Sequence, residues 1–88
     1  MSTFPATSER LEMQVKVFNG DRLLTAATCA LWLGDNPRHG AMAVPGNQNW
    51  LGFTHLTLDA ADGARYSILP RRVTHAAGEL QTMLFDIE

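Results

Sequence analysis

The sequence predicts an all-β domain, a small antiparallel barrel or sandwich of five or six strands built from hairpins. Three observations lead there. Residues 52–69 read as two strands around Asp62-Gly63, and residues 11–18 alternate apolar with polar and run straight into Asn19-Gly20. At the far end Met83, Phe85 and Ile87 alternate with Thr82, Leu84, Asp86 and Glu88.

The Asp62-Gly63 hairpin carries enough information to set its own register. A three-residue loop, Ala61-Asp62-Gly63, with Gly63 in the left-handed conformation, puts Leu58 opposite Tyr66 and Leu56 opposite Ile68 on one face. The other face then pairs Asp59 with Arg65 and Thr57 with Ser67, both favourable cross-strand neighbours. A four-residue loop sets Leu58 against Arg65 and breaks both faces together. One face buried and one wet is the pattern of an antiparallel sheet.

Taken in order, residues 1–10 are polar and without periodicity, so they are expected to be a flexible tail, and residues 11–88 form the domain. Leu11, Met13, Val15 and Val17 define the inner side of a first strand. Asn19-Gly20 demands an immediate partner, which runs from Arg22 to Leu33. That partner is apolar on both sides, and a threonine N-cap at Thr25 with Gly34 beyond Leu33 also suits a short helix over residues 25–33. The strand is preferred, and a strand apolar on both sides belongs at the centre of a sheet or inside a barrel wall. Residues 34–40 and 46–52 are loops by composition, with one short strand, Ala41 to Val44, between them. After Pro70, residues 71–79 read as a connection containing at most a short extended piece.

Eighty-eight residues close a single core, and a core of this size leaves a thin stability margin that self-association would supplement. The net charge of −2, with signs interspersed, gives no broad electrostatic footprint for nucleic acid or an anionic membrane. Cys29 is the single cysteine, which excludes an internal disulfide and a cysteine-based zinc cluster within one chain and fits a reducing cytoplasm. No apolar run has the length of a signal peptide core or a bilayer span, so a cytoplasmic protein is expected.

The residues that carry chemistry are scattered. His39, His55 and His75 occupy separate segments without the close pairing of a metal motif. Cys29 lies in an apolar stretch and reads as a buried hydrophobe. Asp35 and His39 share a loop and form a conceivable acid–base pair, but no nucleophile elbow or oxyanion donor accompanies them. The glycine pattern lacks the lysine and spacing of a phosphate-binding loop. The chain also lacks the paired histidines of cupins and the arginine and Asp-x-Ser motifs of cyclic-dinucleotide barrels. No enzyme activity, cofactor or metal is expected.

Binding residues are easier to nominate. Arg71, Arg72 and His75 form one basic cluster and Arg38 with His39 another; Trp50, Phe53 and Phe18 are stacking platforms if they face outward. Together they support a weak single-stranded nucleic-acid binder as the second reading. Asn47, Asn49 and Trp50 combine amides with an aromatic ring, the chemistry of a small polar-ligand or sugar site, although tryptophans more often fold back onto a core. Phe18, at a nominally wet position beside Asn19-Gly20, is an anomaly: an exposed aromatic at a strand end often marks a contact with another chain, although single exposed apolar residues are normal. The leading expectation is a non-enzymatic protein-interaction or self-associating module.

Overall fold

The computed structural model describes residues 10–75 and 80–88; the expectations for residues 1–9 and for residues 76–79 fall outside the described residues. Six strands form: β1 (Leu11–Asn19), β2 (Arg22–Trp32), β3 (His39–Pro45), β4 (Leu56–Ala60), β5 (Arg65–His75) and β6 (Leu80–Ile87), with one 3-10 turn at Trp50–Gly52. They close into an antiparallel barrel in the order β1-β2-β3-β6-β5-β4, β4 pairing back onto β1. The closing ladders are short, residues 15–18 on 57–60 and residues 29–32 on 39–42, so the hairpin ends of β1–β2 and β5–β6 extend beyond the closed part.

Both predicted hairpins are present, and the Asp62-Gly63 hairpin has the predicted register. Leu56 pairs with Ile68, Thr57 with Ser67, Leu58 with Tyr66 and Asp59 with Arg65. Gly63 adopts φ 92°, its N–H donates to Ala60 O at 3.0 Å, and Asp62 Oδ1 accepts from Ala64 N at 2.9 Å. At the β1–β2 turn Gly20 takes φ 65°, and a register shift beyond Val17 adds one residue to β2. The stretch 25–33 is therefore strand and not helix through Trp32, because the turn delivers it directly alongside β1.

Several boundaries differ from expectation, β2 ending at Trp32 and β6 beginning at Leu80 among them. β3 begins at His39, two residues before Ala41, because the β2 and β6 ladders extend to pair Trp32 with His39 and His39 with Asp86. β4 begins at Leu56, leaving residues 53–55 in the crossover. The segment after Pro70 is not a connection, since β5 continues to His75 against β6. Pro70 has no N–H to give the ladder, and the register shifts between Pro70 and Arg72 instead of ending the strand.

The crossover from β3 to β4 passes over the barrel end. Trp50 sits there at 1% exposure, its Nε1–H donating to Pro45 O at 2.8 Å, with Phe53 tilted against it at 5.9 Å. The indole joins Leu31, Val44, Leu58, Ile68, Met83 and Phe85 in one core and stoppers that end. Gly40 admits the Phe85 ring, since a Cβ there would lie 2.5 Å from it. Burial pushes the Cys29 thiol up to about 12, so it stays a protonated hydrophobe rather than a nucleophile.

Candidate functional site

In a barrel whose interior is filled, binding must occur on the outside, and the outer surface divides into two unlike faces. On β1, β4 and the start of β5 the outward residues include Gln14, Lys16, Thr57, Asp59, Arg65 and Ser67. Several have polar partners: Arg65 Nε donates to Asp59 Oδ1 at 2.7 Å, and Gln14 Nε2 donates to Thr28 Oγ1 of β2 at 2.6 Å. The Asp59 hydrogen bond, with its charge, raises the Arg65 guanidinium above its ordinary value.

On β3 and β6 the outward residues are Ala41, Ala43 and Pro45 beside Leu84, Thr82 and Leu80, paired in that order. Ala30 of β2 continues the row across Ala41 to Leu84. No charge interrupts these seven positions. Leu80 is 48% exposed and Leu84 36%, although both occupy the side of β6 that faces away from buried Met83, Phe85 and Ile87. Alternation on a strand identifies the inner side but does not require the outer side to be polar. The signal available in sequence was the pair of leucines at alternate, nominally wet positions.

Ion pairs border this face on both sides. Arg10 Nη2 meets Glu12 Oε2 at 2.7 Å, and Arg71 Nε lies 3.3 Å from Asp86 Oδ2. Between the first border and β6 lies a depression of about 330 Å³ floored by Ala30, Ala41 and Ala43. A second, of about 350 Å³, is lined by Trp32, His39, Arg71, Leu84 and Asp86.

The nominated residues separate accordingly. His39 stacks on Trp32, ring centroids 5.1 Å apart and planes at 16°, and Arg71 shares its depression. Arg72, exposed, pairs with Leu84 across the ladder, and Arg38 Nη2 donates to Glu88 O at 2.8 Å. Phe18 lies elsewhere, half-buried on the polar side with Thr57 and Arg65. Asn47 and Asn49 are exposed, but the buried Trp50 ring offers them no stacking wall, so the polar-ligand site drawn around them loses its aromatic component. Phe53 is likewise packed against the core. The His75 side chain is outside the described residues. Trp32 is the exterior aromatic that sequence reasoning missed, because β2 is apolar on both sides and gives no sign of which side faces out.

The acid–base pair does form, His39 Nε2 lying 3.4 Å from Asp35 Oδ2, while Nδ1 faces Pro37 O at 3.2 Å. Both ring nitrogens thus face protein oxygens. At the C-terminal end Glu88 Oε1 accepts from Ser67 Oγ at 3.4 Å and lies 2.8 Å from His55 Nδ1. With the carboxylate in the middle, the hydroxyl is bonded to it and not to the imidazole, unlike a nucleophile–base relay. Among the described residues no three His, Cys, Asp or Glu side chains gather as a metal group, and no helix is long and apolar enough to cross a membrane. Comparison with protein-family models, with curated proteins and with solved structures finds no match to this chain.

Proposed function

We propose that this protein is a non-catalytic, cytoplasmic interaction module that self-associates through the outer face of β3 and β6. The observation that carries this reading is the exposure of Leu80 and Leu84 beside the small side chains of Ala41 and Ala43. A face of this kind holds both the projecting groups and the space for them. A two-fold axis in the plane of contact lays the leucines of one copy over the alanines of the other, the self-complementarity an isologous interface requires. The bordering ion pairs, each with one cation and one anion, can exchange partners between copies without leaving a charge unpaired. The single buried cysteine supports the cytoplasmic setting.

Sedimentation velocity over a wide concentration range tests the reading. The expected result is a concentration-dependent dimer, converted to monomer by Leu84→Glu with an unchanged circular dichroism spectrum. A strictly monomeric parent at several hundred micromolar overturns it.

A further inference from the structure

The sequence places Arg38-His39 and Arg71-Arg72 more than thirty positions apart, and the barrel brings them to one side. His39 pairs with Asp86 across the β3–β6 ladder, and Arg71 makes its ion pair with the same Asp86 from β5. The register shift after Pro70 has a second effect: Arg71 and Arg72, which a regular strand would send to opposite sides, are both exposed. The Trp32–His39 stack shares a depression with Arg71; its near-parallel rings cover one face of each other, and the outer face of the stack is where an unpaired base can rest.

We propose that Trp32 and His39 are a stacking platform for single-stranded nucleic acid, with Arg71 and Arg72 receiving the flanking phosphates. Arg38, Arg71 and Arg72 stand against Asp35, Asp86 and Glu88, a local balance of charge within a net −2 chain, so that attraction to a phosphate rests on individual guanidinium contacts and not on a basic patch. Arg71 approaches Asp86 through Nε at 3.3 Å. Arg72 is exposed and makes no ion pair among the described residues. Two phosphate contacts give weak binding with a modest salt dependence, log affinity against log salt falling with a slope of about −1.4. A double helix does not expose base faces to such a platform, which selects single strands.

The experiment is an amide and indole NMR titration of the full chain with a short oligothymidylate at low and then moderate salt. Its two tryptophans report separately: the Trp32 indole shifts with oligonucleotide concentration, and the buried Trp50 indole stays. Trp32→Leu lowers affinity about tenfold. Arg72→Glu, an exposed position that leaves the core untouched, weakens binding and reduces the salt slope by about 0.7. An unmoved Trp32 indole at low salt overturns the proposal, as does binding that Arg72→Glu leaves unchanged. Shifts at Trp32 that follow protein rather than oligonucleotide concentration also overturn it, since they report self-association.

Discussion

The outer face of β1, β4 and early β5 and the outer face of β3 and β6 enclose the same core, yet they are built on opposite principles. On the first, each outward side chain has a cross-strand partner of matching chemistry, as with Arg65 and Asp59 or Gln14 and Thr28. On the second, Leu80 and Leu84 stand in solvent beside alanines, with charge confined to the borders. The buried side chains beneath the two faces, Val15, Val17 and Leu58 under one and Met42, Val44, Met83 and Phe85 under the other, belong to one core. The contrast teaches that the inward pattern determines the fold and leaves the outward positions free to differ, and the proposed self-association is a reading of that difference.

The sharpest way to break that comparison is to show that the core differs beneath the two faces. Leu58→Ala, under the polar face, and Met83→Ala, under the apolar one, are each expected to cost about 2–5 kcal/mol in urea unfolding. A loss at one position only would mean that the faces are not independent of the interior. Alkaline unfolding examines the interior from another direction. The Cys29 thiol titrates near 9 when unfolded and about 12 when folded, so its contribution is fully present below pH 9 and is lost as pH rises toward 12. Stability should fall by about 1.4 kcal/mol per pH unit in that window from this group alone, and Cys29→Ala should remove that part of the slope.

A smaller effect sharpens the boundary between inside and outside. Gly40 lies under the apolar face with its missing Cβ filled by the Phe85 ring and the Ala30 carbonyl oxygen. Gly40→Ala is expected to cost about 1–3 kcal/mol by overpacking, read as a lower urea midpoint. Smallest are the outer faces themselves. Asp59→Ala should cost about 0.2–1 kcal/mol by removing an exposed pair. In the monomer Leu84→Glu should lie within about 0.5 kcal/mol of the parent. A larger loss at Leu84 would make that leucine a folding residue and remove the reason for assigning it to an interface.

Local chemistry made part of this legible in the sequence. Asp62-Gly63 and the alternation around it determine the β4–β5 register because only one loop length buries Leu56, Leu58, Tyr66 and Ile68 together. Asn19-Gly20 similarly forces β2 to be a strand. Barrel closure was not legible: Val15 with Ala60 and Ala41 with Leu84 are pairings of distant segments that no local signal specifies. Pro70 misled in a definite way, because a proline that ends a ladder and one that only shifts it look alike until the partner strand is present. The candidate surface was half visible. Arg38, His39, Arg71 and Arg72 could be nominated from composition, and the alternation of β6 places Leu80 and Leu84 on its wet side, but Trp32 could not be placed, since β2 is apolar on both sides.

The most direct measurement compares the two faces in one sample: amide chemical shifts of the labelled protein followed on dilution from millimolar to low micromolar. The shifts are predicted to move at Ala41, Ala43, Thr82 and Leu84 and to stay fixed at Gln14, Thr57, Asp59 and Ser67. Movement centred on the second group, or none anywhere, would contradict the assignment of the β3–β6 face to self-association.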